Sequence, residues 1–224
     1  MTRRTLVVLT AVIAVSVFAA AGMWFTGKDT DKKAGAAVAD ASLLVRPHSP
    51  IFGPRSAPVT IVEFFDPACE TCRAFYPVVK EIMAEFPGQV RLVIRYTPLH
   101  HGSDEVVRLL ETARLQRKFE PVLEAILHAQ PQWASHNAPR LDRAWEAAAS
   151  AGLDVARARS ALMTPEVTAV LEQDRSDSVA VGAQKTPTFL VNGKHLPSFG
   201  AQQLYDLVES EVRTARAPAA IGDK

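Results

Sequence analysis

The chain has 224 residues, 48% of them hydrophobic and 22% charged, with 25 Lys and Arg against 24 Asp and Glu. That is the balance of a globular protein with enough chain to bury a core. A net charge of +1 points away from a nucleic-acid or strongly acidic partner.

Arg3 and Arg4 precede an uncharged run from Leu6 to Phe25, and Lys28 to Lys33 is polar again. A run of that length can span a hydrocarbon core as a helix, and the basic pair orients its short end toward the cytoplasm, exporting the rest. Ala19-Ala20-Ala21 offers a signal-peptide cleavage site. The run continues through Met23, Trp24 and Phe25, however, and Trp24 suits a membrane interface, so residues 1–26 read as an uncleaved anchor in preference to a cleaved signal. Residues 27–56 lack a sustained period and read as a linker, with "RPHSPIFGPRSAP" as an extended lead-in.

"VTIVEFF", Val59 to Phe65, is apolar and β-branched and predicts a buried strand that Asp66-Pro67 breaks. From Cys69, the spacing of Phe75, Val79, Ile82, Met83 and Phe86 predicts a helix ended by Pro87-Gly88 and kinked at Pro77. "VRLVIRY", Val90 to Tyr96, is a second strand. Ser103 to about Val181 is helical by pattern: Ser103 reads as the cap of "DEVVRLLETARLQ", and further helices are expected near 119–129, 138–151, 154–162 and 165–180. Asp154 caps one of these and Thr164-Pro165 opens the last. Thr188 to Val191 is a strand, Asn192-Gly193 a tight hairpin turn, and His195-Leu196 the start of the return. Ala201 to about Ala215 is a terminal amphipathic helix. The order predicts an α/β fold with an all-helical insertion.

Cys69 and Cys72 are the only cysteines. As a structural staple the pair is poor, because it closes a tiny loop. As a zinc site it lacks a second CxxC, and the adjacent His100 and His101 read as polar loop surface, so no metal site is expected. As a redox pair it has a mechanism. Cys69 opens a helix, where free N–H groups and the helix dipole stabilise a thiolate, and Cys72 lies one turn further in, placed to attack a mixed disulfide.

"VTIVEFFDPACETCRAFYP", the helical middle and "KTPTFLVNGK" together resemble the DsbA-type branch of the thioredoxin superfamily over about Pro50 to Val212. The resemblance implies a thioredoxin-like domain in two parts, 57–100 and 182–215, with an all-helical domain inserted at 101–181; the N-terminal membrane segment read above precedes it, and residues 216–224 read as a tail. It also implies dithiol/disulfide exchange on the periplasmic side of the bacterial inner membrane. Cys69 matches the exposed nucleophile and Cys72 its buried partner. Pro187 matches the cis-proline facing the pair, with an ordinary trans turn as the alternative, and Thr186 matches the substrate-touching residue before it. Glu63 matches a buried acid and reads as the proton acceptor for Cys72, with a half-exposed strand carboxylate as the alternative.

The chain departs from the best-known members at Glu70-Thr71, where the strongly oxidising ones carry Pro-His, so these two residues are expected to tune the redox poise. The resemblance implies no cofactor beyond the Cys69–Cys72 disulfide. Cysteine-containing exported proteins and a membrane or periplasmic redox partner are the expected partners. With linker in place of a dimerisation domain, a monomer is expected. The rival reading is a periplasmic Cu(I)-binding protein with Cys69 and Cys72 as soft ligands. A third reading, a glutathione-transferase-like or isomerase relative of the fold, is weakened because those enzymes do not need a second cysteine at this spacing.

Overall fold

The computed structural model describes residues 39–217. The anchor or signal reading of Leu6–Phe25 lies outside these residues, and no described helix is long and apolar enough to cross a membrane.

A short helix α1 (Ala41–Leu44) and strand β1 (Ile51–Phe52) precede β2 (Val59–Phe65), helix α2 (Glu70–Glu85) and β3 (Val90–Tyr96). Five helices follow: α3 (Ser103–Leu115), α4 (Phe119–Trp133), α5 (Leu141–Ser150), α6 (Val155–Ala161) and α7 (Pro165–Ala180). The chain ends with β4 (Thr188–Val191), β5 (Lys194–His195) and α8 (Ala201–Arg216). The sheet order is β1-β3-β2-β4-β5. Only β2 and β3 run parallel, joined through α2, and the other pairs are antiparallel.

Strand period explains the layering. Ile61, Phe65, Leu92, Ile94, Phe189 and Val191 share one core with α2, α8 and the helices between β3 and β4. Val62, Phe64, Val93 and Leu190 point the other way, under Leu44 and Val181. The helical stretch is thus packed into the same core as the sheet.

Two details differ from the sequence reading. Within the stretch read as linker, β1 pairs with β3 through Ile51↔Val93 and Phe52↔Leu92. A two-residue strand between prolines and glycine is too short to show alternation. Ser103 is not the cap of α3: Gly102 is, at φ 81, while the Ser103 hydroxyl donates to Asp66. Helix α2 runs unbroken from Glu70 to Glu85 with Pro77 inside it. As expected, the Asp154 side chain accepts from Arg157 N and the Thr164 side chain from Val167 N. Asn192 and Gly193 turn the hairpin with φ 48 and 80.

A buried ion cluster fastens the lead-in to the sheet. Arg95, fully buried in β3, donates to Asp174 Oδ1 at 2.7 Å and Asp177 Oδ2 at 2.6 Å, both on α7. It also bonds the Leu43 carbonyl. Arg46 forks onto Asp177 with two 2.8 Å bonds. Burial alone would raise the Asp177 carboxyl, yet hydrogen bonds from Arg46 and Arg95 hold it down to about 2.

Candidate active site

Strand β2 ends at Phe65, and Asp66 turns the chain so that Cys69 arrives as the N-cap of α2. Asp66 Oδ1 accepts from Ala68 N at 2.8 Å, and the Asp66 carbonyl accepts from Cys69 N at 3.1 Å. The other face of this turn is held by Gln130 of α4, whose Nε2 donates to the carbonyls of Pro67 (2.8 Å) and Cys69 (3.0 Å).

Both cysteines are thiols in the structure. Cys69 is not the exposed sulfur that the resemblance implies: it is 5% exposed, tucked against the turn and Thr186, while Cys72 is fully buried. The thiol of Cys72 hydrogen-bonds the Cys69 sulfur and is the main reason Cys69 falls to about 5; burial opposes the fall, while hydrogen bonding with Thr186 and with the amides of Cys72 and Thr71 assists it. Those amides are the free N–H groups of a helix start. Burial first, then the bond to Cys69 and the nearby Glu63 charge, pushes the Cys72 thiol far above its ordinary range. The two sulfurs are thus unlike: one is poised as a thiolate, the other is kept protonated.

Glu63 lies on the α2-facing side of β2, 1% exposed, and neither oxygen has a hydrogen-bond partner among the described residues. It is not the half-exposed strand carboxylate of the alternative reading. Burial, and then repulsion from Cys69, raise its carboxyl to about 8. Across the site, the Thr186–Pro187 bond is cis, and the Cys69 sulfur is 3.3 Å from the Thr186 carbonyl, which accepts from its S–H form. Cys69, Cys72, Glu63, Thr186 and Pro187 therefore converge. Thr71 is exposed, and the Glu70 carboxylate is 3.1 Å from His136 Nε2.

The sequence reading missed several neighbours. Asp66, fully buried, also accepts from Leu99 N and His100 Nδ1 at 2.7 Å each. Its place between a strand and a proline is a turn signal that could have marked it. Phe199, 50% exposed, stacks on Phe75 at 4.8 Å, and Phe75 meets Phe189 at 5.5 Å, making an aromatic shelf two residues beyond Pro187. Gln130 and His136 carry no local signal.

The family model described as Thioredoxin matches residues 46–210. A thioredoxin-like oxidoreductase from Silicibacter pomeroyi DSS-3 is 31% identical, with a TM-score of 0.67 over 81% of this chain and 100% of that one. Oxidised BdbD from Bacillus subtilis is 22% identical, with a TM-score of 0.66 over 74% of this chain and 94% of that one; it shares the fold. Among curated sequences, a Na(+)/H(+) antiporter NhaA from Herminiimonas arsenicoxydans is 30% identical over 211 residues, 92% of this chain and 33% of that protein. The chain spans a third or less of the length of the first curated relatives it matches.

Proposed function

Since the chain belongs to the thioredoxin family, we propose that it is an exported thiol–disulfide oxidoreductase that exchanges the Cys69–Cys72 dithiol/disulfide with cysteines of protein substrates. The observation that carries this is the asymmetry of the pair, with Cys69 held down to about 5 at a helix start and Cys72 raised by burial one turn below it.

The exchange balances as follows. The Cys69 thiolate attacks one sulfur of a substrate disulfide, forming a Cys69–substrate disulfide and expelling the other substrate sulfur as a thiolate, which takes a proton from water. Once Glu63 has released its proton to solvent, Cys72 passes its own proton to the Glu63 carboxylate and attacks the Cys69 sulfur, closing the Cys69–Cys72 disulfide and expelling the second substrate sulfur as a thiolate, which takes a proton from water. Two electrons have moved from protein to substrate, and the reverse sequence oxidises a substrate dithiol. Repulsion from Cys69 is one reason Glu63 stays protonated. That repulsion vanishes in the mixed disulfide, so Glu63 releases its proton more readily and is present as a carboxylate at the step where Cys72 needs an acceptor. Thr186 and the cis-bonded Pro187 offer backbone to the incoming chain beside the sulfur, while Glu70 and Thr71 border Cys69 and tune it.

The leader Leu6–Phe25 supports a location on the periplasmic side of the inner membrane, anchored or cleaved near Ala21. One solved relative of this fold, from Salmonella enterica serovar Typhimurium, is described as a periplasmic thioredoxin-like protein. A cysteine-containing exported substrate and a membrane or periplasmic redox partner follow from that location. The transport activity in the curated relatives' names belongs to chains of which this one matches a third or less. The copper reading finds no support in the comparisons, which match a thioredoxin family model and a thioredoxin-like oxidoreductase.

Trapping tests the reading. Cys72→Ala is expected to accumulate mixed disulfides on Cys69 with disulfide-bearing proteins, and Cys69→Ala none. Capture through Cys72 in the Cys69→Ala protein would reverse the roles, and no capture by either would end the reading.

A further inference from the structure

Two imidazoles reach the reacting sulfur's neighbourhood from outside the CxxC motif. His100 lies between β3 and α3; its Nδ1 is 2.7 Å from Asp66 Oδ2, and its backbone N–H donates to the same oxygen at 3.0 Å. His136 lies between α4 and α5, with Nε2 at 3.1 Å from Glu70 Oε1. The two ring centroids are 6.2 Å apart. Together these groups make a chain of acid, imidazole, imidazole and acid: Asp66, His100, His136, Glu70. Both ends are close covalent neighbours of Cys69, three residues before it and one after. The side chains of His100 and His136 are 30% and 68% exposed, so both can exchange protons with solvent.

We infer that His100 and His136 are positioning residues for the redox pair, whose positive charge, when carried, offsets the Asp66 and Glu70 charges and favours the Cys69 thiolate. Reduction of the disulfide takes two electrons from a substrate dithiol and, with Cys69 ionised, one proton on Cys72. Positive charge beside Cys69 stabilises that reduced state and makes the disulfide a stronger oxidant. With both rings neutral, the two carboxylates are uncompensated and the thiolate loses that support. The charged groups that act on His100 are Asp66 at the end of β2 and Cys69 and Glu70 at the start of α2; Glu70 is also the partner of His136, and His101 is the next titratable residue in the same loop. Burial works against a charged His100, but the hydrogen bond and charge of Asp66, with the Cys69 and Glu70 charges, raise its pKa above the ordinary value.

The inference rests on Cys69 being the attacking thiolate, and its test reports on that separately. His100→Asn keeps a donor toward Asp66 and His136→Gln one toward Glu70, while neither carries a titratable charge. Cys69 ionisation is followed by thiolate absorbance in the full-length reduced protein, and the equilibrium with glutathione is measured at about pH 6 and about pH 8. Near pH 6 the double variant is expected to hold the disulfide roughly three- to tenfold more strongly than the parent, with Cys69 ionising at higher pH. Near pH 8, where less imidazole charge is present than at pH 6, the difference should be clearly smaller. An equal shift at both pH values, or none, overturns the inference. If the double variant does not fold, His136→Gln alone, on an exposed loop, should show the same pH-dependent difference at smaller amplitude, and its absence there overturns the inference equally. A parent in which Cys69 shows no thiolate at neutral pH removes the premise itself, and with it the reading of Cys69 as nucleophile.

Discussion

Glu63 sits where a carboxylate is costly: it is fully inside the core, without a hydrogen-bond partner among the described residues, and burial with repulsion from Cys69 raises it to about 8 from an ordinary 4.5. Between those two values the folded protein binds a proton that the unfolded chain has released, so stability is greatest below about pH 4.5 and falls as pH rises toward 8, by at most about 1.4 kcal/mol per pH unit. Urea midpoints at about pH 5 and pH 8 should show the parent losing stability, with Glu63→Gln largely free of that loss. The same substitution should slow closure of the Cys69–Cys72 disulfide from a mixed disulfide about ten- to a hundredfold. An unaltered closure rate would leave Glu63 a purely structural acid. The two cysteines, Glu63 and Pro187 are legible in the sequence because each is an exception to its local pattern: thiols in a chain with no others, an acid in an apolar strand, a proline before a strand. Gln130 is not, because its bonds to Pro67 and Cys69 span 63 and 61 residues of sequence and leave no trace in a helical period. In sequence Glu70 is a carboxylate beside the thiolate, and the structure pairs it with His136. Glu70→Gln should therefore raise the oxidising strength more at about pH 8 than at pH 6, which potentials measured at both would show.

Asp66 is the joint between elements. It accepts from Ala68 N, Leu99 N, His100 N, His100 Nδ1 and the Ser103 hydroxyl, tying the end of β2 to the loop after β3 and the start of α3. Hydrogen bonds to a buried carboxylate are among the stronger ones. Asp66→Asn places an amide donor among donors, and thermal or denaturant unfolding should show a loss of about 2–4 kcal/mol; a loss under about 0.5 kcal/mol would mean the loop has other supports. This joint also explains why α3 starts as it does. Seen alone, Ser103 before Asp104-Glu105 is a good cap, but its hydroxyl serves a carboxylate 37 residues away, and Gly102 in the left-handed region takes the cap position. The period of apolar residues marks the helices and their approximate bounds, while their ends are set by partners distant in sequence.

Across the molecule, the cluster of Arg46, Arg95, Asp174 and Asp177 joins the lead-in, β3 and α7. In sequence the two aspartates fall inside the helix expected near 165–180 and residues 27–56 read as linker, because a charge buried by pairing looks the same as a charge in water until its partner is known. Arg95→Met leaves two carboxylates buried with the Arg95 guanidinium gone from between them and should cost about 3–5 kcal/mol by denaturant unfolding; Arg95→Met with Asp174→Leu should recover part of it. This cluster supports the fold, while the chemistry rests on the two sulfurs at the start of α2. The most direct test of that chemistry is the equilibrium of the full-length protein with glutathione buffers, read by intact mass and peptide mapping. The account predicts one two-electron transition in which a Cys69–Cys72 disulfide forms and disappears, lost when either cysteine is replaced by alanine. Thiols that stay reduced in every buffer, or glutathione accumulating on Cys69 without closure to Cys72, would contradict it.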